Sequence, residues 1–229
     1  MSITCFGPAA VPEAVLFDLD GTLADTAPDL GGALNALLGE SGRAPMPLDV
    51  LRPHVSAGAR GMIGVGLGID PADPAYPPLQ QRFLALYQER LCVGTRLFPG
   101  VAEHLDDLES QGIRWGIVTN KSQRFALPLL ESLGLRHRCT CIVSGDSAPR
   151  AKPHPHPLQL AATVLGLAAE ACWYVGDDER DVRSGLAAGM GTLVAAWGYL
   201  GGDRPPATWG AHGIAATPAE ILGLTATTG

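Results

Sequence analysis

Two kinds of apolar pattern alternate along this chain. Short unbroken runs read as buried strands: Ala14-Val15-Leu16-Phe17, then Ile113–Thr119, Cys139–Ser144, Ala171–Gly176 and Thr192–Ala196. Helix-spaced runs lie between the later ones, at Val101–Gln111, Gln123–Leu133, Pro157–Leu165 and Glu179–Ala188. Strand followed by helix, repeated, predicts βα units and a largely parallel sheet covered on both faces. The strand ending at Phe17 is expected in that same sheet.

Residues 28–95 break the alternation. Pro28 and Asp29 open a helix with apolar positions at Leu30, Leu34, Leu37 and Leu38, and Leu79, Phe83, Leu86 and Tyr87 mark a second long one. A Gly-rich stretch (Ser56–Gly68) and a Pro-rich one (Pro71–Pro78) lie between them, with no convincing strand. The reading is a small helical module inserted after the first strand and connected near Ala24–Pro28 and Gly94–Gly100. The expected organisation is an α/β core of residues 1–27 and 96–229 around a helical insertion of residues 28–95.

The 229 residues are 46% hydrophobic and 17% charged, as in ordinary globular proteins, with a net charge of −7. That balance argues against nucleic acid as the main partner, since there is no basic stripe to neutralise a phosphate backbone. Cys5, Cys92, Cys139, Cys141 and Cys172 are odd in number and loosely spaced, so no disulfide framework is expected; Cys139 and Cys141 read as strand residues, one on each face. Met1 to Pro12 lacks the pattern of a signal peptide. Gly185–Gly202 is uncharged, but its six glycines make it a poor membrane helix, and it reads as helix end, buried strand and loop. The expectation is a cytoplasmic protein, monomer or homodimer, with no membrane partner.

The chemistry gathers at strand ends, where open parallel sheets bind ligands. Asp18-Leu19-Asp20-Gly21-Thr22-Leu23 places two carboxylates on the same side of a strand end, and such acids are costly there without a cation or donors. Gly21 permits a sharp turn whose amides can face an anion. Val118-Thr119-Asn120 offers a hydroxyl and an amide before a helix. Lys152 supplies a cation at a turn, and Gly176-Asp177-Asp178 further acids, with Asp181 one helical turn on. Asp178 reads as a helix-start acid, Asp25 as a brace for the first loop or a helix cap, and His154 and His156 as parts of a stiff surface loop. Arg60 is a candidate for a substrate carboxylate.

These motifs (Asp-x-Asp-Gly-Thr-Leu, Val-Thr-Asn, Lys-Pro-x-Pro, Gly-Asp-Asp-x-x-Asp), in this order, resemble the haloacid dehalogenase superfamily over almost the whole chain. The resemblance implies a Rossmann-like, doubly wound core and an α-helical cap domain formed by the insertion. It implies that Asp18 is a nucleophile forming an aspartyl-phosphate. Asp20 would be the acid for the leaving alcohol, then the base for water, with a pKa tuned upward relative to Asp18. Mg²⁺ would be held by the Asp18 carboxylate, the Asp20 carbonyl and Asp177, with Asp181 acting through water. Thr119, Lys152 and the amides near Gly21 and Asn120 would bind the phosphoryl group.

The implied function is hydrolysis of a small phosphomonoester. A phosphotransferase of the β-phosphoglucomutase kind is a weaker match, because it has a Glu-Asp pair where this chain has Gly176-Asp177. A binding protein on the same fold is weaker still, since every catalytic position is filled, and a dehalogenase would not need Asp20. Within the superfamily, Asp18–Pro28 and Val118-Thr119-Asn120-Lys121 resemble the phosphoglycolate phosphatases, implying 2-phosphoglycolate as substrate. Ser56-Ala57-Gly58-Ala59-Arg60, in place of their usual Gly-Asn-Gly, with Trp115-Gly116 and Trp209-Gly210-Ala211, is similar to the N-acetylmuramic acid 6-phosphate phosphatases of cell-wall recycling.

Overall fold

The first strand, β1 (Ala14–Phe17), lies at the middle of the sheet because every one of its residues is apolar and none reaches solvent. Its neighbours are β4 (Arg114–Val118) on one side and β6 (Cys172–Gly176) on the other, both parallel to it. Beyond them come β5 (Cys141–Val143) on one edge, and β7 (Gly191–Ala195) and β8 (Gly213–Ala215) on the other. The order β5-β4-β1-β6-β7-β8 is parallel throughout. This computed structural model describes residues 11–202 and 204–227. The expectations for Cys5 and for residues 1–10 fall outside that range.

Side chains alternate across β1 as a pleated strand requires. Val15 and Phe17 join one apolar cluster with Trp115, Ile117, Trp173 and Val175, while Ala14 and Leu16 join another with Val118, Cys141 and Tyr174. Only Cys141 is a strand residue, lying in the second cluster; Cys139 precedes β5 and packs on the first cluster from outside the strand. Burial pushes the Cys141 thiol up to about 12, so it behaves as a small apolar group. Helices α5 (Val101–Ser110), α6 (Gln123–Ser132), α7 (His156–Leu165) and α8 (Glu179–Ala188) cover the faces. β8 and the last helix, α9 (Ile221–Thr227), are absent from the sequence reading. β8 is three residues long with a half-exposed Ile214, too short to show a period.

Between β1 and β4 the chain builds α1 (Ala27–Glu40), α2 (Leu48–Leu51), a 3₁₀ turn (Arg52–Ala57), α3 (Gly58–Leu67) and α4 (Tyr76–Glu89). The Gly-rich stretch, to which the pattern assigned no element, is largely helix α3, because Met62 and Ile63 are anchored in the core. The two strands of chain that lead into and out of these helices pair antiparallel, as β2 (Ala24–Asp25) with β3 (Arg96–Leu97). Asp29 fastens the exit, accepting from the amides of Gly94 and Thr95 and from the Thr95 hydroxyl. Gly185–Gly202 divides into the end of α8, β7 and loop, and no helix among the described residues is long and apolar enough to cross a membrane.

His104 of α5 is buried edge-on against Phe17 and its Nε2 has no hydrogen-bond partner. Burial lowers its pKa from 6.5 to about 4, so the folded state resists protonation that the unfolded chain accepts. Its contribution to stability is complete above pH 6.5 and is lost as pH falls toward 4. In urea titrations, His104→Asn is expected to lose about 2 kcal/mol less than the parent between pH 7 and pH 4. An unchanged loss would contradict a buried neutral imidazole.

Candidate active site

Four strand ends meet at the carboxyl edge of the sheet, where the order reverses on either side of β1. Asp18 follows β1, Thr119 follows β4, and Asp177 follows β6. Lys152 arrives from the connection between β5 and α7. Its ammonium is buried and lies 2.8 Å from Asp181 Oδ1 and 3.0 Å from Asp18 Oδ1. It also donates to the carbonyl of Val118 at 3.0 Å and to the Tyr174 hydroxyl at 2.6 Å. Asn120 fixes this lysine by bonding its main chain in both directions, each at 3.0 Å.

Asp18, Asp177 and Asp181 present carboxylate oxygens within 4.8 Å of one another. Around one ammonium, three such acids leave a surplus of negative charge in a poorly solvated place. Asp18 Oδ1 is buried without a hydrogen-bond partner, despite its ion pair with Lys152. Burial, then Asp181 and Asp18, push Asp177 well above the ordinary carboxyl range. A hard cation with oxygen ligands answers that surplus, so the donor set fits a divalent ion such as Mg²⁺.

Burial also raises Asp18, carried from 3.8 to about 6, although Lys152 opposes the shift. Asp20 is clasped by a second buried lysine, Lys121, at 2.8 and 3.1 Å, and accepts from the Thr26 hydroxyl at 2.6 Å. Lys121 directly follows Val-Thr-Asn, which was the available signal for it, and it had been given no role.

Gly21 has φ +86°, and a Cβ there would lie 2.1 Å from Asp177 Oδ2. Glycine is needed so that the turn can touch the acid of the opposite strand. Its N–H bonds the Ala24 carbonyl, and those of Thr22 and Leu23 bond Leu19, so these amides close the turn instead of facing an anion. Gly198 approaches Asp177 as closely from the other side. Asp177 is thereby enclosed, accepting from the Thr22 hydroxyl (3.1 Å) and the Tyr199 amide (2.9 Å).

Asp178 caps α8 by accepting from the Arg180 amide, and Asp181 answers by accepting from the Asp178 amide. Asp181 therefore has both oxygens engaged inside the protein. Thr119 Oγ1 accepts from the Lys121 amide, while α6 takes Ser122 as its cap position. Asp25 does brace the first loop: it pairs with Arg52 and accepts from the Tyr199 hydroxyl and the Ala27 amide. Arg60 stands exposed on α3, at the wall of a cavity of about 820 Å³. That cavity reaches from Asp18, Thr119 and Lys152 to Tyr76, Gln80 and Phe83 of α4. His154 and His156 face each other outside it, ring centres 3.9 Å apart.

A family model for haloacid dehalogenase-like hydrolases matches residues 15–195, and the chain belongs to that family. It is 45% identical over 211 residues to a phosphoglycolate phosphatase of Xanthomonas campestris, covering 92% of this chain and 95% of that one. It is 41% identical over 210 residues to an N-acetylmuramic acid 6-phosphate phosphatase of Pseudomonas aeruginosa, covering 92% and 93%. A crystal structure described as a predicted phosphoglycolate phosphatase from Haemophilus somnus superposes with a TM-score of 0.82 at 27% identity, over 93% of this chain and 97% of that one. The two sequence relatives are named as phosphatases.

A carboxyl with a raised folded pKa binds its proton more tightly in the folded state, so it favours folding at low pH and loses that advantage as pH climbs from about 4 through 6. In excess chelator at pH 7.5, Asp18→Asn is expected to be about 2 kcal/mol more stable than the parent, and the difference should vanish near pH 4. Urea unfolding measures both; a less stable variant at pH 7.5 contradicts the crowding of charge described here.

Proposed function

We propose that this protein is a divalent-metal-dependent phosphomonoester hydrolase that works through an aspartyl-phosphate on Asp18. The observation that carries the reading is the buried set Asp18, Lys152, Asp177 and Asp181 at the base of a cavity wide enough for an organic phosphate. The family and the names of the relatives support it.

An Asp18 carboxylate oxygen attacks phosphorus and the bond from phosphorus to the alcohol oxygen breaks. Asp20 gives that oxygen a proton, then takes one from the water that attacks phosphorus and releases phosphate. Its pair with Lys121 has to open for either transfer. Lys152 and the Thr119 hydroxyl steady the phosphoryl oxygens. Mg²⁺ held by the Asp18 carboxylate, the Asp20 carbonyl and Asp177, with Asp181 behind them, would lessen repulsion between nucleophile and phosphate dianion.

Helices α1 to α4 serve as a cap over the site, admitting substrate and then shielding the reaction from water. The paired β2 and β3 strands are its two connections. The four cysteines among the described residues are all free, which agrees with a reducing compartment, and we place the protein in the cytoplasm.

The substrate we put first is 2-phosphoglycolate, which is what several relatives are named for. The size of the cavity favours a second reading, N-acetylmuramic acid 6-phosphate, because about 820 Å³ is far more than a two-carbon ester fills. Phosphate release from the two compounds, compared as kcat/KM with Mg²⁺, decides between them; equal and negligible rates with both would sink the pair of readings. Asp18→Asn is expected to lower kcat by at least about 10³-fold while the circular dichroism spectrum stays unchanged. Turnover should stop in excess chelator and return with Mg²⁺. Activity that persists in chelator would count against the metal role of Asp177.

A further inference from the structure

Five cations line the cavity: Arg60, Lys121, Arg124, Lys152 and Arg180. Lys152 is committed to Asp18 and Asp181. Arg180 is held by Asp178 and by the Ser56 carbonyl. Arg60 and Arg124 are exposed. Lys121 differs from all of them, because it is buried (7% of its side chain is exposed) and its one carboxylate partner is Asp20. Its ammonium also lies 4.8 Å from the centre of the Tyr87 ring, on α4. The Tyr87 hydroxyl is itself buried and meets no hydrogen-bond partner. An ammonium and an unpartnered hydroxyl thus stand together at the cavity wall beside Asp20.

We propose that Lys121 and Tyr87 form a subsite for a carboxylate borne on the ester carbon of the substrate. This rests on the phosphatase reading above and says which esters the site selects. An ester oxygen within hydrogen-bond reach of Asp20, about 2.7 Å, lies within roughly 6 Å of Lys121 Nζ, since that nitrogen is 2.8 Å from Asp20. A carboxylate on the adjoining carbon closes the remaining gap. Turning Asp20 toward the ester oxygen takes from Lys121 its one carboxylate in a poorly solvated place, and an unpaired buried ammonium is costly. A substrate carboxylate replaces what Asp20 withdraws, and a neutral alcohol does not. The site therefore favours 2-phospho acids by matching charge at the moment when the acid is released.

The test compares 2-phosphoglycolate with 2-hydroxyethyl phosphate, which has the same skeleton without the carboxylate. The parent should prefer 2-phosphoglycolate by about 100-fold or more in kcat/KM, as sites built around a polar substrate group do. Lys121→Met should bring the two substrates within about threefold of each other, Lys121→Arg should keep most of the preference, and Tyr87→Phe should trim it by about tenfold. Because the readout is a ratio, general damage to the site lowers both rates and cancels. An intact ratio in Lys121→Met would overturn the subsite and leave Lys121 as a mere anchor for Asp20. A parent that hydrolyses both esters, and p-nitrophenyl phosphate, without preference would overturn the subsite alone. Failure to release phosphate from any of the three would remove the phosphatase reading as well.

Discussion

The buried ammonium of Lys152 is the constraint from which the rest of the site follows. It joins the ends of β1, β4 and β6 by touching Asp18, the Val118 carbonyl, Tyr174 and Asp181. One positive charge cannot offset three neighbouring acids, so the arrangement is balanced only when something cationic joins it. The same crowding that raises Asp18 and Asp177 in the free protein makes the cluster a strong attractor for a divalent ion. Affinity for the metal and instability without it are two consequences of the same packing.

Topology makes that crowding possible. Parallel strands deliver their carboxyl ends to one edge of the sheet, and the reversal of order around β1 opens a crevice there. Two glycines let backbone reach Asp177 where any side chain would collide. Asp20 belongs to a separate ion pair on the cavity side, with Lys121, so the two acids of one turn are held in different surroundings. That separation suits the two tasks proposed for these neighbouring carboxylates, one attacking phosphorus and one handling protons.

Much of this was readable from the chain. The strand at Ala14–Phe17 and helix α8 coincide with their apolar patterns to the residue, because a fully buried strand and a strongly amphipathic helix show clear periods. Asp18, Thr119 and Asp177 meet because each follows a strand of the parallel sheet, Asp181 because it lies in the first turn of the helix after β6, and Lys152 because it lies in the connection after β5. Besides β8 and α9, three things escaped the pattern. Helix α3 hid behind its glycines, since tertiary anchoring by Met62 and Ile63 outweighs propensity. Lys121 carried no role in the pattern, because only the fold lays it against Asp20, 101 positions earlier in the chain. The amides after Asp20 were expected to face an anion, but the turn at Gly21 closes on itself through Ala24 and Leu19.

The central claim is that the Asp18, Asp177 and Asp181 cluster is a divalent-cation site built on Lys152. Scanning calorimetry of the protein across a Mg²⁺ titration tests it most directly, because an ion that binds only the folded state raises Tm with concentration. The account predicts a rise of several degrees at saturating Mg²⁺ in the parent and little or none in Asp177→Asn. A parent whose Tm ignores Mg²⁺, or a variant that gains as much as the parent, would contradict it.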